Sequence, residues 1–232
     1  KFDVEFPWGP LIALALIAVT LVATFRVRRG IAALTGLIAS IWIVMGFWIA
    51  PRIDSVRSGE KLMREMQRKL AATEDVVIEC NDGVRLTAQH TPPRVPNGRV
   101  AILLHGWEGS SRSLHVVSGA DRLWREGFRI VRINMRDHGE SQHLNRGIFH
   151  SCRLDERVDA VRWVRDRFTG EPLYLGGYSL GGNFALRIAS AEGPALGLAR
   201  VVAICPVLDP EETMAALDSG SVIYRQYFIN KW

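Results

Sequence analysis

The chain has 232 residues, 48% of them hydrophobic and 23% charged, with a formal net charge of +5. That length accommodates one catalytic domain and a short accessory region. Its Lys and Arg form no aromatic-laced basic run of the kind that binds nucleic acid, and Cys80, Cys152 and Cys205 lack the paired spacing of a disulfide framework or a zinc site.

The hydrophobic excess sits at the N-terminus. Phe6 to Phe25 is apolar apart from Thr20 and Thr24, and Ile31 to Ala50 is a second apolar run closed by Pro51. About 20 helical residues cross a bilayer core of roughly 30 Å. With only Arg26-Val27-Arg28-Arg29-Gly30 between them, the two runs predict an antiparallel transmembrane hairpin in residues 1–51, with spans at 6–25 and 31–50. Ala32, Gly36 and Ser40 put small residues on one face of the second helix, where the helices pack closely. Six basic residues (Arg52, Arg57, Lys61, Arg64, Arg68, Lys69) follow that helix against three arginines in the hairpin loop. This balance favours a membrane protein whose C-terminal domain faces the cytosol, with membrane lipids as partners of the hairpin. Residues 52–74 predict an amphipathic connecting helix, with Leu62, Met66 and Leu70 on one side.

From residue 75 to 232 strands and helices alternate. Val76 to Cys80 and Val84 to Thr91 read as strands joined across Asn81-Asp82-Gly83, a hairpin turn. Val100 to Leu104 is an apolar strand and Leu114 to Glu126 a helix. Arg129 to Met135 is a strand and Asp155 to Phe168 a helix. Leu173 to Tyr178, Leu180 to Ala191 and Val201 to Cys205 complete a strand, a helix and a strand. This alternation predicts an α/β fold with a mostly parallel central sheet and helices on both faces.

Gly177-Tyr178-Ser179-Leu180-Gly181 fits Gly-x-Ser-x-Gly between a strand and a helix. In that context the pattern describes a nucleophile elbow: a sharp turn lifts the serine hydroxyl above the sheet, and Gly177 and Gly181 leave room for it. Ser179 is the candidate nucleophile. The loop after Val100 to Leu104, His105-Gly106-Trp107-Glu108-Gly109, is placed to supply one oxyanion donor. The assigned amides are those of Trp107 and Leu180. His105 is read as shaping that loop, and Arg136 to Ser141 as a turn in the pocket wall, since triads assemble from distant loops. No metal is implied, for there is no His-Glu-x-x-His, and no cofactor, for there is no phosphate loop.

Several segments resemble the α/β-hydrolase superfamily, closest to its YheT-like branch of carboxylesterases. They are Leu104 to Ser111, Arg136 to Ser141, Phe149-His150-Ser151, Gly176 to Asn183 and Ala203 to Asp209, with the Tyr224 to Trp232 tail. The resemblance covers about Val76 to Trp232, without the hairpin. It implies a serine hydrolase cleaving small-molecule or lipid carboxylic esters through an acyl-enzyme on Ser179. The same scaffold also serves acyltransferases and inactive binding or scaffold proteins. In this fold the acid and histidine follow the serine, whereas all six histidines here precede Ser179. Val201 to Cys205, apolar on both faces, reads as an interior strand. The expectation is therefore an α/β-hydrolase domain incomplete at its C-terminus, its last strands and the triad histidine lying beyond Trp232. Asp209, just after that strand, is a candidate acid in a variant layout.

Overall fold

The computed structural model describes residue 65, residues 73–222 and residues 225–226. They belong to the second of two compact units, Glu65–Trp232. The expected transmembrane hairpin and nearly all of the connecting helix lie outside the described residues. Among the described residues no helix is long and apolar enough to cross a membrane.

The element order is β1 (Glu74–Glu79), β2 (Arg85–Thr91), β3 (Val100–Leu104), α1 (Leu114–Arg125), β4 (Arg129–Ile133), α2 (Asp155–Arg167), β5 (Leu173–Tyr178), α3 (Leu180–Leu196), β6 (Leu198–Ile204) and α4 (Pro210–Ser219). One six-stranded sheet has the order β1-β2-β4-β3-β5-β6. β1 and β2 form an antiparallel hairpin that pairs antiparallel with β4, while β4, β3, β5 and β6 run parallel. The hairpin turns where the sequence signals it: Gly83 takes φ +78°, Cys80 N–H donates to Val84 O at 2.8 Å, and Val84 N–H to Asp82 Oδ1 at 3.2 Å. β1 starts at Glu74, one residue inside the span expected for the connecting helix.

β3 is central and buried at all five positions, which is why it reads as an unbroken apolar run. One face of the sheet packs against α2 and α3 through Val158, Val161, Val164, Phe184, Ala185 and Ile188. The other packs against α1 through Val116, Val117 and Ala120. The parallel strands end in register, with Ile133, Leu104, Gly177 and Ala203 side by side. The loops that follow them therefore gather along one edge, where ligands bind in open α/β sheets.

Two elements differ from the sequence reading. α3 continues past Ala191, carries Pro194 in its last turn and stops at Gly197, whose φ of +66° makes a left-handed cap. β6 starts at Leu198 and is the edge strand among the described residues. Its inward residues meet α3, but Val202 and Ile204 on the other face are 55% and 43% exposed. They line an apolar groove of about 200 Å³ with Leu103, Leu123, Tyr174 and Tyr178.

Candidate active site

Ser179 stands between the last residue of β5 and the first of α3, with φ 51° and ψ −117°. This region is essentially reserved for glycine, and a serine held there marks backbone strain. The neighbours enforce it. Ser179 N–H donates to Ile204 O at 2.9 Å, and Ser179 O accepts from Asn183 N at 3.1 Å and Val207 N at 3.4 Å. The turn is thus tied to the end of β6 and to the first turn of α3. The side chain is exposed, and among the described residues its hydroxyl makes no hydrogen bond.

The flanking glycines are steric requirements. A Cβ on Gly177 would strike the carbonyl of Gly181, and one on Gly181 would strike the carbonyl oxygens of His105 and Leu104. The helix start is therefore pressed onto both its own strand and the end of β3. From the other side, the loop after β3 abuts the serine: a Cβ on Gly106 would lie 3.2 Å from Ser179 Cβ and 3.8 Å from its Oγ. Trp107, partly buried, is the next residue in that loop. Leu180 opens α3, where an N–H has no partner inside its own helix. Both expected oxyanion donors thus sit beside the turn, one in each segment that touches Ser179.

His105 shows how that loop is fixed. It is fully buried, its Nδ1 lies 2.6 Å from Gly106 O, and its Nε2 lies 3.0 Å from Met135 N. A carbonyl needs a donor and an amide needs an acceptor, so the ring must be neutral with its proton on Nδ1. Burial pushes its pKa down to about 3. Both nitrogens being engaged, His105 clips the Gly106 loop to the end of β4. His138 stacks 4.9 Å from it and donates Nδ1–H to Arg136 O at 2.7 Å.

Behind the turn lies a buried ionic cluster that the sequence did not announce. Arg136 donates Nε–H and an Nη2–H to Glu156 Oε1 at 3.1 and 2.7 Å, and Arg157 donates to Oε2 at 3.0 Å. The second amino group of Arg136 holds the carbonyls of Arg146 and Gly147. The Arg157 guanidinium lies 5.1 Å from the Phe149 ring centroid and 4.6 Å from that of Phe184 in α3. The loop after β4, including Arg136 to Ser141, is thereby anchored to α2 and α3.

Asp209 caps α4, its Oδ1 accepting from Glu211 N at 3.0 Å and Glu212 N at 3.1 Å. Among the described residues no histidine is hydrogen-bonded to Ser179 or Asp209. His90 lies in β2 beside Glu74 and Arg129, His115 packs on the Tyr178 ring, and His150 accepts from Cys152 N. No group of side chains suited to hold a metal occurs among the described residues.

A strained serine on a strand-to-helix turn, in a sheet of this order, can be compared with known proteins. The family model described as alpha/beta hydrolase fold matches residues 100–231, more than half of the chain. The chain belongs to the α/β-hydrolase family. It is similar to an Escherichia coli K12 protein named "Putative esterase YheT", 27% identical over 157 residues, which are 66% of this chain and 46% of that protein. It is also similar to a Haemophilus influenzae protein named "Putative esterase/lipase", 26% identical over 141 residues, 60% of this chain and 40% of that one. The matches span about half the length of those relatives or less. Among solved structures, the Pyrococcus furiosus esterase Pf2001 superposes with a TM-score of 0.56 at 20% identity, covering 67% of this chain and 59% of that one. The serine hydrolase XC6422 of Xanthomonas campestris gives 0.51 at 22% identity, covering 64% and 79%. These likenesses show the shared fold.

Proposed function

We propose that this protein is a serine hydrolase of carboxylic esters, with Ser179 as nucleophile, tethered to a membrane by its N-terminal hairpin. One observation carries the enzymatic part: an exposed serine held at φ 51° where a parallel strand turns into a helix. A capping serine needs no such angles. The esterase names of the two curated relatives support the same chemistry. The tether rests on the two apolar runs of the sequence.

In this reading Ser179 Oγ attacks the ester carbonyl and passes its proton to a base, while the Trp107 and Leu180 amides receive the oxyanion. Two preorganised donors matter because the charge grows only toward the transition state, and each is typically worth about 3 kcal/mol. Collapse expels the alcohol, which takes the proton back, and water then releases the acid. The loop clip made by His105 and the ionic cluster under the Arg136 loop hold this geometry. The base in this reading is a histidine, as in other serine hydrolases of this fold.

A fluorophosphonate probe on the longest product of the gene tests the reading. Labelling of the natural protein and none of Ser179→Ala is expected. Labelling that persists in Ser179→Ala, or is absent from the natural protein, overturns it.

A further inference from the structure

The N–H of Leu180 belongs to the same peptide unit as the carbonyl of Ser179. A trans peptide is planar and points its N–H opposite to its C=O, so whatever fixes the Ser179 carbonyl also fixes the direction of that N–H. Two donors fix it. Asn183 N, one helical turn on, lies 3.1 Å from Ser179 O, and Val207 N, in the loop after β6, lies 3.4 Å from it. The first is the opening hydrogen bond of α3. The second comes from outside the helix and is at the long end of the hydrogen-bond range, so it depends on how firmly its loop is held.

Asn183 holds it. Its side-chain Nδ2–H donates to Val207 O at 2.7 Å. One residue thus gives its main-chain N–H to Ser179 O and its side-chain amide to the residue that supplies the other donor. The orientation of that amide is itself set. Arg187 Nη1 donates to Asn183 Oδ1 at 3.4 Å and to Ser151 O at 2.7 Å. The Arg187 guanidinium also lies 5.4 Å from the ring centroid of Phe184. Gly182 lets the loop come this close, for a Cβ there would lie 3.2 Å from Pro206 Cβ and 3.3 Å from its Cα. Ser151 lies between β4 and α2, and Val207 follows β6. Asn183 and Arg187 therefore tie both of these loops to the start of α3.

We propose that Asn183 is a positioning residue for the oxyanion donor of Leu180. By clamping Val207 it keeps the Ser179 carbonyl turned toward α3 and the loop after β6, and so keeps the Leu180 N–H turned away from both. The loop after β3, with the Trp107 amide, meets the turn from the other side, since β5 lies between β3 and β6. Arg187 acts one step further back: it presents a donor to Asn183 Oδ1 and so leaves Nδ2 for Val207. An aspartate at 183 would instead set a carboxylate oxygen against the Val207 carbonyl oxygen. This inference rests on the esterase reading, in which the Leu180 amide receives the charge that grows toward the transition state. Loss of the clamp should therefore appear in kcat rather than in KM.

Hydrolysis of p-nitrophenyl butyrate by the longest product of the gene and by its Asn183→Asp and Arg187→Gln variants tests the proposal. Asn183→Asp should lower kcat about tenfold or more and leave KM nearly unchanged. Arg187→Gln should lower kcat severalfold, again with little change in KM. A natural kcat in Asn183→Asp, or a loss confined to KM, overturns the inference and leaves the esterase reading standing. If circular dichroism shows Asn183→Asp unfolded, Arg187→Gln decides, and an unchanged kcat there overturns it equally. A natural protein that neither hydrolyses the ester nor takes the fluorophosphonate probe overturns the esterase reading and the inference together.

Discussion

Replacing Ser179 by glycine should stabilise the protein, whereas replacing it by alanine should not. The native φ of 51° and ψ of −117° are a strain that any Cβ carries, hydroxyl or no hydroxyl. Such a position costs a non-glycine residue on the order of 1–3 kcal/mol. Glycine escapes that cost but loses about 0.5–1 kcal/mol through its more flexible unfolded chain. Little else is lost, because the side chain is exposed and makes no hydrogen bond among the described residues. The net gain for Ser179→Gly is therefore roughly 1 kcal/mol, within a span of about 0–2.5 kcal/mol. At about 2–4 °C per kcal/mol for a domain of this size, its Tm should rise by a few degrees, up to roughly 10 °C. Ser179→Ala keeps the Cβ and should stay near the natural value. Thermal unfolding of the three proteins under one set of conditions is the assay. Equal shifts for Gly and Ala, or a fall for Gly, would refute the claim that the turn stores strain in the backbone of this residue.

Three further outcomes follow from the same geometry. His105 is neutral when folded, with a pKa near 3, but takes a proton when unfolded near its ordinary 6.5. Its contribution is complete above pH 6.5 and is lost as pH falls from there toward 3, at up to about 1.4 kcal/mol per pH unit. Urea midpoints at pH 7 and pH 5 should therefore differ less in His105→Asn than in the natural protein. Glu156→Ala leaves Arg136 and Arg157 buried without a counterion and should cost about 3–5 kcal/mol, read by urea denaturation, with faster proteolysis in the loop after β4. Gly177→Ala drives a Cβ into the Gly181 carbonyl, and overpacking of this kind costs typically 1–3 kcal/mol. It should abolish fluorophosphonate labelling. Gly119→Ala meets chiefly the hydroxyl of Tyr178, the far end of a side chain, and should be milder on both counts.

The parts of this fold that sequence made legible are those whose cause is local. β3 announces itself by five apolar residues, and the turn at Ser179 by a strand, Gly-x-Ser-x-Gly and a helix in immediate succession. Glu192-Gly193-Pro194 resembles a helix stop. Yet the helix carries Pro194 in its last turn and continues through Ala195 and Leu196, and Gly197 supplies the cap. What stayed hidden depends on distant partners. Arg136 and Glu156 are 20 positions apart, and nothing in either segment distinguishes a buried ion pair from two surface charges. Arg132 sits in the alternating strand β4, Arg129–Ile133, where a charge suggests a solvent-facing residue. It is nevertheless buried, and its Nη1 donates to the main-chain oxygen of Ser111, 21 positions away in sequence. β6 is apolar on both faces, as an interior strand would be, yet Val202 and Ile204 on one face stay about half exposed.

The distribution of backbone strain strengthens the functional assignment beyond the serine itself. Among the described residues, the non-glycine residues with positive φ are Glu108, Asp137, Glu140, Ser179 and Cys205. Glu108 follows β3, Asp137 and Glu140 follow β4, Ser179 follows β5 and Cys205 follows β6. Every parallel strand thus ends in a strained loop at the same edge of the sheet, and none of these residues lies at the opposite edge. Strain of order 1 kcal/mol or more per position persists only where surrounding structure enforces it. Here the enforcing contacts are visible: Ile204 O on Ser179 N, His105 between Gly106 and Met135, and Asp137 Oδ2 accepting from Phe149 N at 2.5 Å. Accidental irregularity would scatter over both edges. Its confinement to the edge that carries the serine is what a scaffold shows when it spends stability to fix the positions of a few atoms in a reactive site.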